Sequence, residues 1–419
     1  MIRMFLKDSF LYTLSNILSK GIGFLILPVY TAYFSPEQFG VLDMLLVSGN
    51  ILSIFVGLEI HQAVARFFPE AESFEEKRKI VSTSLLSVLF FYFLLVVPAL
   101  LMSEIVSMQF FKDEGYAGLI RVALISYGCN FLYYFASAQL RWQMKVKQNV
   151  LVSVLYSLIS AGGAYLFLSN GMLGLYAVFF AQIIGAVVGF GVSLVFSKEY
   201  YGPFFETETF KKLTRFSLPL VFSTLTVYAM LYIDRFLINY LLSPSDLGLY
   251  GFAYRIASVI GLITMGTQAA LTPIIYSKYK EPDTPGQIAR LFNIFLLASI
   301  VLVACLFLGS DVVVSLMASS AYSGSSVLVP WIALSILFTG VINFVPGIFI
   351  QKITRLVLYI NLIALFMNAV LGYVFIKMMG LMGAVIATAI SSFCYFFLYY
   401  YLGQKYYFIP FFWTKIGRR

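Results

Sequence analysis

Residues 81–103 read VSTSLLSVLFFYFLLVVPALLMS and contain no charged side chain. One helix needs about 20 mostly apolar residues to cross the hydrocarbon core of a bilayer, so this run is long enough. The run is continuously apolar, whereas an outer-membrane strand would alternate apolar and polar residues. Residues 81–103 therefore predict a transmembrane helix.

The composition of the whole chain predicts many such helices. Of the 419 residues, 61% are hydrophobic and only 11% are charged. Soluble domains carry roughly 25% charged residues, which excludes an ordinary soluble enzyme. Runs of spanning length occur at 9–31, 41–62, 81–103, 117–140, 150–169, 173–196, 216–241, 247–276, 288–309, 325–350, 356–377 and 381–402. The sequence therefore predicts an all-α integral membrane protein with about 12 transmembrane helices.

The basic residues predict how the chain is oriented. If both ends lie in the cytoplasm, 22 of the 28 Lys and Arg residues fall in inside connections, and only Lys112 and Lys377 fall outside. Cytoplasmic loops of membrane proteins are enriched in Lys and Arg. We therefore predict a multi-pass protein with both termini in the cytoplasm. The same distribution explains the net charge of +9 without a nucleic-acid partner.

Two short motifs recur at nearly the same offset. SPEQFGV at 35–41 matches SPSDLGL at 243–249, which is an offset of 208 residues. GMLG at 171–174 matches GLMG at 380–383, which is an offset of 209 residues. Either match alone is weak, because such turns are common. Together they indicate an internal duplication.

The duplication predicts the domain organisation. Each half holds six spans, so the halves run parallel and are related by an axis along the membrane normal. An N-terminal six-helix bundle is expected at 1–200 and a C-terminal six-helix bundle at 201–402, with the substrate path between them. Residues 403–419 are aromatic and basic, which predicts a cytoplasmic tail that anchors at the membrane interface.

Among the basic side chains within the predicted spans, Lys20 and Arg255 lie deepest and Arg235 lies nearer the outside. An ionisable group in lipid costs about 2.5 to 3.5 kcal/mol on insertion scales, so a retained one indicates a function. None of the three has a charged counterpart in the other half, which favours one off-axis ligand. A cationic pocket favours an anionic substrate, and arginine suits phosphate. The alternative is a structural role in which the cations pair with buried acids.

Two acids and the only histidine also fall within predicted spans. Glu59 and His61 close the second span near the cytoplasm, so His61 is either an interfacial residue or a proton carrier. Asp234 and Arg235 are neighbours on the seventh span and should project about 100° apart, which disfavours a mutual pair. Their pairing with other helices is an alternative to a transport role. With one histidine and three distant cysteines, neither a metal site nor a cofactor is predicted.

Several stretches resemble the polysaccharide flippases of the Wzx type, which belong to the multidrug/oligosaccharidyl-lipid/polysaccharide (MOP) exporter superfamily. The most specific of these stretches open the two halves of the chain. They are LPVYT at 27–31, SPEQFG at 35–40, SLPL at 217–220, DRF at 234–236 and LGLYGFAYR at 247–255. In span count and spacing the resemblance covers nearly the whole chain.

The resemblance implies two six-helix bundles that face each other in a V, around a cationic central cavity. It implies a flippase of the bacterial cytoplasmic membrane that moves undecaprenyl-diphosphate-linked polysaccharide repeat units, such as those of O-antigen and lipopolysaccharide, to the outer leaflet by alternating access. Lys20, Arg255 and Arg235 would then bind the diphosphate or acidic sugars. A coupling ion, H⁺ or Na⁺, would use Asp234, Glu59 and His61. A polysaccharide polymerase and a chain-length regulator are the implied protein partners.

Two other functions compete with this hypothesis. A MATE-like multidrug or cation antiporter would present acids to a cationic drug, whereas the deepest charges here are cations. A membrane-embedded polymerase or glycosyltransferase would need a sizeable external loop or paired catalytic carboxylates. The outer connections of this chain are too short for such a domain, so the sequence favours a transporter over an enzyme.

Overall fold

The computed structural model of the chain describes residues 18, 21–171, 173–351 and 353–411. Over this part the chain is helical and contains no strand, which confirms the predicted all-α class. The α-helices, in chain order, are α1 (Leu27–Tyr33), α2 (Pro36–Gly57), α3 (Ile60–Phe67), α4 (Phe74–Leu101), α5 (Ser103–Phe111), α6 (Ala117–Trp142), α7 (Val146–Ser169), α8 (Tyr176–Ser197), α9 (Thr207–Leu241), α10 (Pro244–Ala257), α11 (Val259–Lys278), α12 (Thr284–Met317), α13 (Val329–Val341), α14 (Gly347–Ile350), α15 (Thr354–Met379) and α16 (Leu381–Tyr406).

Most of the predicted spans coincide with helices, but the run at 41–62 contains a break after Gly57, so Glu59 and His61 lie beyond the end of α2. Nine helices of the described part are long and apolar enough to cross a membrane, and α10 with the start of α11 makes a tenth if the two count as one span across their bend of 43°. Two shorter apolar helices, Gly21–Tyr33 and Val329–Phe344, lie at the first and tenth predicted positions. The predicted run at 9–31 begins in residues outside the described part.

The contacts divide the chain into two compact units. Unit 1 comprises Met1–Phe34 and Val41–Leu225, and unit 2 comprises Ser35–Gly40 and Thr226–Arg419. Helices α6, α7 and α8 pack together in unit 1, whereas α13, α15 and α16 pack together in unit 2. The division falls inside the long helix α9, and the predicted boundary at residue 200 precedes this helix.

The repeated Ser-Pro motif begins a helix in each half. The Ser35 hydroxyl accepts a hydrogen bond from the backbone N–H of Gln38 at 3.3 Å, and the Gln38 side chain accepts one from the backbone of Ser35 at 3.1 Å. The Ser243 hydroxyl likewise accepts from the backbone N–H of Asp246 at 3.1 Å. Each serine thus satisfies a backbone donor that a helix start leaves open, and proline fits the first helical position. The duplication therefore preserves a helix cap.

The glycine of each motif allows the two helix starts to pack closely inside unit 2. A Cβ atom on Gly40 would lie 1.8 Å from the carbonyl oxygen of Pro244, and one on Gly248 would lie 1.8 Å from that of Pro36. No side chain tolerates such a distance, so both positions require glycine. This contact explains why the sixth residue of the motif is glycine in both halves.

The structure describes the first part of the predicted tail at 403–419. Helix α16 continues to Tyr406, and the amide of Gln404 then makes two hydrogen bonds with the backbone of Ile409, at 2.9 and 3.1 Å. Ile409 and Phe411 are buried, and the Phe411 ring lies 4.7 Å from that of Phe292. These two apolar side chains extend the core of unit 2, and the anchoring of the tail at the membrane interface stays a prediction. Residues 412–419 lie outside the described part.

Candidate functional site

Asp234 and Arg235 form a buried pair in unit 2, with 4% and 3% of their surfaces exposed. The Asp234 Oδ1 atom accepts a hydrogen bond from the backbone N–H of Arg235 at 2.8 Å and lies 3.3 Å from Arg235 Nη1. The Tyr250 hydroxyl donates to Asp234 Oδ2. The prediction that the two neighbours would not pair is wrong, because the long Arg235 side chain folds back to the preceding carboxylate.

Three tyrosine rings surround the Arg235 guanidinium. Its central carbon lies 4.2 Å from the ring centroid of Tyr254, 5.3 Å from that of Tyr232 and 5.5 Å from that of Tyr250. The Nη1 atom also donates to the backbone carbonyl of Leu231 at 3.2 Å. Aromatic faces stabilise a desolvated cation, so the protein itself compensates this charge.

A small cavity of about 60 Å³, lined by both apolar and polar side chains, lies beside Asp234 in unit 2. It has room for ordered water or a small cation, since one water needs about 10 to 15 Å³ of such volume. Its oxygen-bearing lining includes Asp234, Tyr254, Ser335, Thr339, Asn368, Thr388, Ser391 and Ser392. Hard cations take oxygen ligands of this kind, so the polar part of the lining suits such a cation.

The polar lining from α16 was missed by sequence reasoning. Thr388, Ser391, Ser392 and Tyr395 recur at spacings of three and four residues, which places them on one face of the helix. In an otherwise apolar span this spacing was a signal for a polar cavity. The Ser391 hydroxyl is buried and has no hydrogen-bond partner among the described residues. Such a group is usually satisfied by water or an ion.

Arg255 lies in the last turn of α10, just before the bend to α11. Its guanidinium carbon is 4.8 Å from the ring centroid of Phe39. Phe39 is buried and packs edge-on against the ring of Tyr322, so the ring that supports Arg255 is itself fixed. Arg255 is half-buried. Lys20, the other deep cation of the sequence hypothesis, lies outside the described residues.

Glu59 and His61 meet at a break between α2 and α3 in unit 1. Leu58 and Glu59 both adopt left-handed backbone conformations, with φ of 43° and 54°. This conformation is strained for residues other than glycine and is often found at functional sites. Glu59 is buried, and its Oε2 atom lies 3.7 Å from Nε2 of His61. The break therefore brings together two predicted coupling residues.

The surroundings of this pair favour the uncharged form of both groups, which lie beyond the end of α2. Burial raises the pKa of Glu59, and a hydrogen bond from Thr224 offsets part of this effect. Burial, and then the positive charge of Arg141, lower the pKa of His61 to about 4. His61 is therefore neutral at pH 7, and the contact with Glu59 is not an ion pair at that pH.

The end of α6 near His61 holds an unusual group of buried polar atoms. Six of its buried side-chain atoms have no hydrogen-bond partner among the described residues. They are Nδ1 of His61, Nε of Arg141, and the amide nitrogen and oxygen of Gln139 and of Gln143. An unsatisfied buried polar group costs about 1 to 3 kcal/mol. Groups of this kind usually bind ordered water, so this end of unit 1 is suited to hydration.

Two protein families match parts of this chain. Residues 5–279, well over half of its length, match the family described as polysaccharide biosynthesis protein. The chain belongs to this family. Residues 219–374 also match the MatE family, so the second half shares features with that group.

Two curated relatives span nearly the whole chain. An uncharacterized membrane protein of Methanocaldococcus jannaschii is 24% identical over 92% of this chain and 94% of its own length. A probable low-salt glycan biosynthesis flippase of Haloferax volcanii is 22% identical over 92% of this chain and 80% of its own length.

Solved structures share the fold. The lipid II flippase MurJ, in an inward closed conformation, superposes with a TM-score of 0.80 at 16% identity, covering 94% of this chain and 87% of that one. An inward-facing MATE family transporter of the MOP superfamily superposes with a TM-score of 0.74 at 17% identity, covering 94% of both chains. The predicted relationship to a polysaccharide family is confirmed by the match over residues 5–279, and the predicted MOP-like fold is confirmed by these structures.

Proposed function

We propose that this chain is a flippase that moves polyprenyl-diphosphate-linked oligosaccharides from the cytoplasmic to the outer leaflet by alternating access. The match to the polysaccharide biosynthesis family over residues 5–279 carries the proposal. The MOP fold and the glycan flippase among the relatives support it. In a bacterial cytoplasmic membrane the carrier would be undecaprenyl diphosphate and the glycan a repeat unit of O-antigen or lipopolysaccharide. A polysaccharide polymerase and a chain-length regulator would then take up the product.

Arg255 is our candidate for recognising the diphosphate, together with Lys20. Its guanidinium is half-buried and oriented by Phe39, and arginine binds phosphate oxygens through two parallel hydrogen bonds. Arg235 is a weaker candidate, because it already contacts Asp234 and three tyrosine rings. We therefore assign Arg235 a supporting role beside Asp234.

A cell that lacks its own flippase tests the substrate. The wild-type chain should restore surface polysaccharide, whereas Arg255→Ala and Lys20→Ala should reduce it at least about tenfold at equal membrane levels, the loss expected for a charged hydrogen bond. Arg290→Ala is the matched control, because Arg290 is exposed at the start of α12. Full restoration by both Arg255→Ala and Lys20→Ala would exclude recognition of the diphosphate by these cations.

For coupling, we propose that the cavity beside Asp234 takes Na⁺ or H⁺, and that Glu59 and His61 form a second site that exchanges protons. Asn368 lines the cavity, whereas Asn361 is equally buried on the same helix and does not. Asn368→Leu should therefore remove the dependence of transport on the ion gradient, and Asn361→Leu should keep it. Equal effects of the two substitutions would contradict a role for the cavity. Transport that is unchanged when the proton gradient is collapsed would exclude proton coupling through Asp234, Glu59 and His61.

A multidrug or cation antiporter is the second candidate, and the match of residues 219–374 to the MatE family favours it. Asp234 could then receive a cationic drug. Efflux of a cationic dye from cells that express the chain distinguishes the two functions. We expect no efflux above that of cells without the chain, because the half-buried Arg255 opposes a cationic substrate.

A further inference from the structure

The connection between α8 and α9 folds back onto the first turns of α4, all within unit 1. The backbone N–H of Gly202 donates to the Ser82 hydroxyl at 2.9 Å, and that hydroxyl donates to the carbonyl of Tyr200 at 3.2 Å. The backbone N–H of Glu206 donates to the Thr83 hydroxyl at 3.1 Å. These hydrogen bonds hold residues 201–206 beside the start of α4.

A cavity of about 560 Å³ lies between this connection and α4. Its lining residues are Phe74, Glu75, Arg78, Lys79, Phe204, Phe205 and Glu206. Lys79 and Glu206 neutralise each other, because their charged atoms are 2.7 Å apart. The remaining charged side chains that line the cavity are the cation Arg78 and the anion Glu75.

Arg78 is held in place by an aromatic ring, but its Nε atom has no hydrogen-bond partner among the described residues. Its guanidinium carbon lies 4.9 Å from the ring centroid of Phe204, and the Nε atom is buried. Glu75 is exposed and forms no ion pair within the described part of the chain. The cavity thus offers a phosphate-binding guanidinium and a separate carboxylate that suits an amine.

A row of aromatic rings leads from this cavity along α4. The ring of Phe205 lies 5.5 Å from that of Phe210, which stacks at 6.4 Å on Phe91. Phe90 and Phe93, beside Phe91, are 62% and 59% exposed on the surface of α4. At about 1.5 Å per residue, Phe91 lies roughly 20 Å along the helix from Arg78, which is within the reach of an acyl chain.

We propose that this cavity binds a zwitterionic glycerophospholipid. Its phosphate contacts Arg78, its primary amine contacts Glu75, and an acyl chain follows Phe205, Phe210 and Phe91. A headgroup with phosphate alone would place a negative charge beside the Glu75 carboxylate and be repelled by it. A purely cationic headgroup would be repelled by Arg78. The bound lipid bridges α4 and the connection between α8 and α9, and so fastens residues 201–206 to the start of α4. This bound lipid is a different molecule from the transported substrate.

Native mass spectrometry of the purified full-length chain tests this site with two lipids of identical acyl chains. The wild type should retain phosphatidylethanolamine in preference to phosphatidylglycerol. Arg78→Gln should lower phosphatidylethanolamine retention about tenfold, as expected for the loss of a charged hydrogen bond. Lys77→Gln is the matched control, because Lys77 lies next to Arg78 but contacts the Phe68 ring at 5.7 Å and does not line the cavity.

Two further variants separate the headgroup from the acyl chain. Glu75→Gln alters an exposed residue and should remove the preference for phosphatidylethanolamine without affecting folding. Phe205→Ala should weaken retention of both lipids, whereas a site for free phosphate would not respond. Equal retention in Arg78→Gln and Lys77→Gln would overturn the proposal, as would an unchanged lipid preference in Glu75→Gln. Retention that Phe205→Ala leaves unaltered would exclude the acyl path.

Discussion

The buried charges of the two units differ in how completely the protein satisfies them. In unit 2, Asp234 and Arg235 lie in the regular interior of α9, where the carboxylate accepts several hydrogen bonds and tyrosine rings surround the guanidinium. In unit 1, Glu59 and His61 lie at a helix break with left-handed backbone, and one ring nitrogen of His61 has no partner among the described residues.

This difference indicates two kinds of ionisable site. A buried charge pair that is held by several hydrogen bonds contributes to the structure around it, and the removal of one partner is costly. Groups whose burial favours the neutral form can gain or lose a proton during a conformational change. We therefore infer that Asp234 and Arg235 maintain the cavity of unit 2, whereas Glu59 and His61 are suited to titrate.

The largest expected effect is the loss of stability in Arg235→Ala. The substitution leaves the Asp234 carboxylate buried without its cation, which should lower the free energy of unfolding in detergent by about 3 to 5 kcal/mol. The double variant with Asp234→Asn and Arg235→Gln should recover much of this loss, because no buried charge is left unpaired. Arg290→Ala, at an exposed site, should change stability by less than about 0.5 kcal/mol. Similar losses at Arg235 and Arg290 would contradict the compensated pair.

The next effect is the pH dependence of stability that His61 contributes. The pKa of His61 is lowered from 6.5 to about 4 in the folded chain, so between these values the unfolded chain binds the additional proton. The free energy of unfolding should therefore fall as pH decreases from 6.5 to about 4, by roughly 2 to 3 kcal/mol.

His61→Gln should remove this contribution to the pH dependence of the free energy of unfolding. The pH dependence that the Asp and Glu residues contribute should persist. Equilibrium unfolding in detergent at several pH values measures the difference between the two chains. Parallel pH profiles for the wild type and His61→Gln would show that the histidine titrates normally and would contradict its burial in the neutral form.

The smallest effect concerns the strained backbone next to Glu59. Leu52 and Leu58 pack against the same apolar cluster, but Leu52 is helical and Leu58 is left-handed. Glycine costs about 1 kcal/mol in a helix and relieves about 1 to 2 kcal/mol in the left-handed region. Leu52→Gly should therefore destabilise the chain by at least about 1 kcal/mol more than Leu58→Gly in the same unfolding measurement. The reverse order would mean that the break carries no strain.

Much of the fold could be predicted from the sequence because its signals are local. A run such as residues 81–103 is long enough to span a bilayer whatever its neighbours, and the Ser-Pro motif caps a helix through groups only three residues apart. The sites depend on contacts between distant segments. The turn of Arg235 back to Asp234 needs the rings of Tyr250 and Tyr254, and the two left-handed residues at the break, Leu58 and Glu59, are not glycines.

The most direct measurement is the movement of a defined lipid-linked oligosaccharide between leaflets. Purified chain is placed in proteoliposomes with a fluorescent polyprenyl-diphosphate oligosaccharide, at more than one polyprenyl length, and with a cationic dye in parallel. We predict that the oligosaccharide moves faster than in protein-free vesicles, that Arg255→Ala slows it about tenfold, and that the dye is not transported. Transport of the dye without movement of the oligosaccharide would contradict the proposed flippase.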